Sequence, residues 1–95
     1  MESVLREAFW ADFTIADVFG EKSIQETFDR AFKEWSDDIV QLTKLTIVLN
    51  HKIWQWAEKD EPRARLYDKL WRYADNYCME NFTGEQLDYF IRETD

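Results

Sequence analysis

The chain has 95 residues, is 45% apolar and 17% aromatic, and carries a formal charge of −8. That length predicts one domain, and so many aromatics exclude a disordered chain. Direct binding to DNA or RNA needs clustered Lys and Arg against phosphate, so the acidic balance disfavours it.

Two Gly and one Pro leave little turn chemistry for a sheet protein, which points to helices. Cys78 is the single cysteine. It allows neither an intramolecular disulfide nor a thiolate zinc site, and suits a reducing compartment. The N-terminal stretch MESVLREAFWADF has no basic start and no apolar run of a secretory signal. A cytoplasmic protein is therefore expected.

In chain order, Ser3 is placed to cap a short first helix with Val4, Leu5, Ala8 and Phe9 on its apolar side. Thr14 is placed to cap a second, with Asp17 at the reciprocal position, Phe13 stapling onto Val18, and Gly20 ending it. Ser23-Ile-Gln-Glu26 reads as a capping box before a helix that lines up Ile24, Phe28, Ala31, Phe32 and Trp35. Ser36-Asp37-Asp38 ends that helix and caps the next.

The next helix is predicted over 38–59. It contains LTKLTIVLNHKIWQW (42–56), the most apolar stretch of the chain. Lys44, Asn50, His51, Lys52 and Gln55 interrupt this run, whereas a membrane span needs about 20 mostly apolar residues. Its apolar sector covers roughly 200°, twice that of an ordinary surface helix. Gln41, Lys44, His51, Lys52, Gln55 and Lys59 form the narrow polar strip. Such a helix must be covered on two sides, so it is expected at the centre.

Pro62 suits the first turn of a further helix capped by Asp60 or Glu61. Tyr67, Leu70, Trp71, Ala74, Tyr77 and Cys78 form its apolar face, and Asp68 and Arg72 are spaced to pair. Thr83-Gly-Glu-Gln86 is another capping box, with Phe82 stapling onto Leu87, before a short last helix carrying Leu87, Phe90 and Ile91. The expected fold is an all-α, single-domain bundle of about five helices around the helix of residues 38–59.

Chemistry is harder to find. The serines sit where caps belong, and two glycines beside helices build no phosphate loop. His51, the only histidine, has Gln55 and Glu58 near it on the helix but no second ligand. Asp37-Asp38 and Asp60-Glu61 stand at helix starts, where the helix dipole favours negative charge. No catalytic residue, metal ligand or cofactor is assigned, and the chain is not read as an enzyme.

Charge is what remains. Residues 1–38 hold ten acids and four bases, residues 39–72 four acids and seven bases, and residues 73–95 six acids and one base. Two acidic flanks surround a basic middle. The candidate partner-binding carboxylates are Glu21, Glu26, Asp29, Glu34, Asp37 and Asp38 in the first flank, and Glu80, Glu85 and Asp88 in the last. They could meet a basic groove in place of phosphates, with fast, salt-sensitive association. Trp10, Tyr73, Met79 and Tyr89 lie at stripe margins, so an exposed aromatic patch, and with it a homodimer, is the rival expectation.

As a set, FWADFTIADVFG (9–20), ETFDRAFKEW (26–35), LTKLTIVLNHKIWQW (42–56), LYDKLWRYAD (66–75) and NFTGEQLDYFIRETD (81–95) resemble a family of small helical proteins carried on bacterial mobile elements, conjugative elements and phages. The resemblance spans nearly the whole chain. It implies a bacterial cytoplasmic setting and brings no catalytic residues. Mobile elements often carry short acidic proteins that disarm host defence. The concrete expectation is therefore an anti-CRISPR-like inhibitor that mimics nucleic acid and binds a basic host protein such as a CRISPR effector.

Overall fold

The computed structural model describes residues 2–94, with side chains from residue 8 onward. Five helices follow one another: α1 Glu2–Phe19, α2 Glu21–Trp35, α3 Ile39–Trp56, α4 Glu61–Asn81 and α5 Gly84–Thr94. The fold is an all-α bundle, and no described residue lies in a strand. The α-carbon radius of gyration of 12.7 Å is that of one compact body of this length.

α3 is the central helix, packed against all four others and most extensively against α4. It is three residues shorter at its C-terminal end than the predicted 38–59. Asp38 starts it as expected, with Oδ1 accepting from the backbone N–H of Val40 (3.0 Å) and Gln41 (3.1 Å). Leu42, Leu45, Val48 and Leu49 are buried. Thr43 and Thr46 join them because each hydroxyl donates to the carbonyl one turn back, at 2.6 Å and 2.7 Å. Once satisfied locally, these threonines pack as apolar side chains.

The predicted polar strip of α3 is partly inside. Gln41, Lys44 and Lys52 are buried, and Lys52 is fully so. Trp54, assigned to the apolar sector, is instead 75% exposed. Lys52 is drawn inward because α1 presents a buried carboxylate to it.

That carboxylate is Asp17. Its Oδ2 accepts from Lys52 Nζ at 2.8 Å and from Trp56 Nε1 at 3.2 Å, and its Oδ1 accepts from Tyr67 OH at 2.6 Å. Arg63 Nη1 donates to the Asp17 backbone carbonyl at 2.8 Å. Lys52 also donates to Thr14 Oγ1 at 2.9 Å and lies 4.2 Å from the Trp10 ring centroid. One cluster therefore ties α1, α3 and α4 together.

The cluster overturns the expected helix start at Thr14. Residues 2–19 form one continuous helix, because Thr14 and Asp17 spend their oxygens on Lys52, Tyr67 and Trp56 rather than on capping. Phe13 is fully buried and meets Tyr67 edge-on at 5.9 Å, while Val18, its predicted staple partner, is 81% exposed. Ala8 is exposed although it was placed on the apolar side. The expected cap at Ser3 and the apolar contacts of Val4 and Leu5 lie outside the described side chains.

Gly20 ends α1 as expected, with φ +112°. This one residue reverses the chain, and α2 begins at Glu21 with no side-chain cap. Ser23 is therefore not the predicted cap but lies within the first turn. Asp60 caps α4 by accepting from Arg63 N–H at 3.2 Å, with Pro62 in the first turn. The expected Arg72–Asp68 pair is present at 2.8 Å.

Removing Asp17 leaves Lys52 charged, buried and unpaired. Asp17→Ala and Lys52→Ala should each destabilise the fold by about 3–5 kcal/mol in urea unfolding. Asp17→Leu combined with Lys52→Met should cost clearly less than the sum of the two single changes, because no orphan charge remains. Additive losses would mean that the pair is not coupled.

Candidate acidic docking surface

The candidate carboxylates are held outward by helices whose other faces are committed to the core. On α2, Ile24, Thr27 and Phe28 face inward, leaving Glu21, Glu26, Asp29 and Glu34 exposed. Asp37 is exposed in the turn that follows. On the other side of the chain Glu80, Glu85 and Asp88 are exposed.

Asp29 accepts from Gln25 Nε2 at 3.0 Å. Asp38 is only half exposed and spent on its cap, which makes it a structural residue first. Glu21, Glu26, Glu34, Asp37, Glu80, Glu85 and Asp88 have no ion pair or side-chain hydrogen bond among the described residues.

The fold joins the two flanks. Tyr77 OH on α4 donates to the Ser36 carbonyl at the end of α2, at 3.0 Å across 41 residues. Around this bond, Phe32 meets Tyr77 at 4.7 Å and Tyr77 meets Phe82 at 6.3 Å, both edge-on. The acidic turn at 36–38 therefore lies at the same end of the bundle as the C-terminal end of α4, which carries Glu80. Glu85 opens α5 just beyond Phe82.

The basic middle does not offset this end. Lys44 and Lys52 are buried. Arg65 pairs with Glu61, Arg72 with Asp68, and Arg63 packs over the Trp56 ring at 4.6 Å. Most bases of residues 39–72 are thus buried or paired locally.

Other candidate chemistry is thin. His51 is exposed and borders a polar depression with Asn50, Trp71 and Glu93. Glu58 borders a different depression, with Trp54 and Gln55. The described residues hold no group of three or more His, Cys, Asp or Glu placed to bind a metal ion. Among them no helix is long and apolar enough to cross a membrane. A larger hollow of about 460 Å³ lies between α2 and α4, over Phe28, Phe32 and Tyr73, with Asp29, Lys33 and Lys69 among its polar lining residues.

Of the marginal aromatics, Trp10 and Tyr73 are exposed as expected, as is Met79. Tyr89 is half-buried, with Arg92 stacked over its ring. Ile15, Val18 and Phe19, which no stripe argument singled out as surface, form the most exposed apolar part of α1.

Cys78 is fully buried, and its thiol pKa is pushed up to about 12 by burial and then by the nearby Asp75 carboxylate. Burial, followed by the hydrogen bond to Asp17, likewise holds Tyr67 protonated well above the ordinary phenol range. For both acids the folded pKa exceeds the unfolded one. Both contributions are therefore complete below about pH 9; that of Cys78 is lost as pH rises from about 9 to about 12, and that of Tyr67 only from about pH 10 upward. Unfolding free energy should fall steadily above about pH 9, and a thiol reagent at pH 8 should label Cys78 only after denaturant is added. Rapid labelling of the native protein would contradict the buried placement.

No protein-family model, curated protein or solved structure matches this chain.

Proposed function

We propose that this is a non-enzymatic binding protein whose carboxylates engage, and thereby inhibit, a basic nucleic-acid-handling protein. The observation that carries the reading is the Tyr77–Ser36 hydrogen bond, which brings the turn holding Asp37 in the first acidic flank to the same end of the bundle as Glu80 in the last. A rigid array of carboxylates offers a basic groove what phosphates would offer it. It costs little ordering on binding, because the helices are already fixed. The resemblance to mobile-element proteins supplies a setting in which such an inhibitor would act on a host defence effector, in the manner of an anti-CRISPR protein.

A second reading draws on Ile15, Val18 and Phe19, each more than half exposed on α1. In that reading the protein is an accessory component of a mobile element that dimerises through apolar contacts. Salt separates the two, because ionic strength screens charge pairing and not apolar contact.

Glu26, Asp37, Glu80 and Glu85 are the informative carboxylates to reverse, since none of them caps a helix or holds the core. Changing all four to Lys should abolish capture of basic nucleic-acid-binding proteins from a bacterial lysate while leaving the helical circular dichroism intact. Capture by the unaltered protein should fall sharply between low and high salt, and DNA should compete with it. Undiminished capture by the reversed variant, or capture that persists in high salt with a concentration-dependent mass, would favour the apolar reading instead.

A further inference from the structure

The hollow of about 460 Å³ between α2 and α4 falls within the usual range of about 300–1,000 Å³ for small-molecule pockets. Its floor is aromatic. Phe28 and Phe32 stack at 5.5 Å, and Tyr73 meets them edge-on, at 6.0 Å and 5.2 Å respectively. Tyr73 is nevertheless 56% exposed, so the two Phe rings cover only part of it.

The rim carries positive charge. Lys33 stands on the α2 wall and Lys69 on the α4 wall, both exposed. Neither makes an ion pair among the described residues. Lys33 has a carboxylate one turn before it, Asp29, in the order that favours a helix ion pair. Asp29 instead accepts from Gln25 Nε2 at 3.0 Å, and the Lys33 ammonium is left without a partner. The lining therefore sets two unpaired cations against one engaged carboxylate, in a chain of formal charge −8.

An aromatic floor gains from a flat apolar group laid on it, since ring edges and faces attract at centroid separations of about 4.5–7 Å. An ammonium on each wall gains from an anion between them, whereas a cation would meet like charge on both sides. The two demands together select the occupant. We propose that this hollow binds a small planar aromatic anion, a ring system bearing one carboxylate. The ring lies over Phe32 and Tyr73, and the carboxylate accepts from Lys33 and Lys69. Asp29 is the one like charge facing this ligand and limits its affinity. The site uses none of the four carboxylates whose reversal tests the acidic surface.

The probe is indoleacetate, titrated against the 15N-labelled protein, with indoleacetamide as its neutral counterpart and tryptamine as its cationic one. Indoleacetate should shift the backbone amides of residues 25–33 and 69–73 saturably. It should bind at least about fivefold tighter than indoleacetamide, the gain expected from two exposed charge pairs. Lys33→Gln combined with Lys69→Gln should erase that preference and leave the helical circular dichroism intact, because both side chains are exposed. Asp29→Asn should tighten indoleacetate. Tyr73→Ala should weaken indoleacetate and indoleacetamide alike, because it removes floor and no charge.

Equal affinity for indoleacetate and indoleacetamide, or tighter binding of tryptamine, would overturn the proposal. So would unchanged indoleacetate binding by the folded double-lysine variant. Shifts centred on the exposed Ile15, Val18 and Phe19, or no saturable shift with millimolar probe, would remove the site itself.

Discussion

A buried carboxylate must find a hydrogen bond for nearly every lone pair, and in this protein that requirement organises the bundle. Asp17 meets it with Lys52 and Trp56 from α3 and Tyr67 from α4. These contacts fix how α1 lies across the other two helices. Lys52 in turn satisfies its ammonium with Asp17, Thr14 and the face of Trp10. Burying such a pair gains little net stability compared with apolar packing, but breaking it is costly. We therefore read the cluster as a device for specificity, since a misdocked α1 would leave a charge unpaired in the interior.

The same cluster shapes the surface. Drawing Lys52 and much of Arg63 inward takes basic charge away from the exterior, and the short ion pairs on α4 absorb more. On α5 Glu93 meets Arg92 at 3.9 Å, whereas the carboxylates of α2 and of the end of α4 have no such counterpart among the described residues. An unevenly charged exterior thus follows from the way the interior is satisfied, in a chain whose total charge is already negative. The interlocked rings of Phe28, Phe32, Tyr77 and Phe82 hold the acidic end in one arrangement. A partner meeting that end would find a preset pattern of charge.

Gln41 belongs to the same logic from the opposite side. Its backbone N–H is satisfied by Asp38 Oδ1, while its side-chain carbonyl is not satisfied at all. One residue is thus locked at the start of α3 by its backbone and left with an unpaired, buried side-chain oxygen. The core cluster is not fully closed either, since Arg63 Nε is buried without a hydrogen-bond acceptor.

The all-α class, the central place of α3, and the caps at Asp38 and Asp60 were legible in the residues, because a cap acts over two or three positions and an apolar stripe over a few turns. Gly20 was legible for the same reason. Most of the candidate carboxylates also sit outward as their helical spacing implies. Thr14, Asp17, Ser23, Lys44 and Lys52 were not legible in this way. Thr14 and Asp17 look like a cap, and Lys52 looks like part of a solvent strip, until partners 35 or more residues away are brought beside them. The joining of the two acidic flanks through Tyr77 and Ser36, and the open valence of Gln41, belong to that second kind. Local periodicity records which face a side chain occupies. Only the packed bundle decides what that face meets, because the free energy of burying a polar group depends on the partner waiting there.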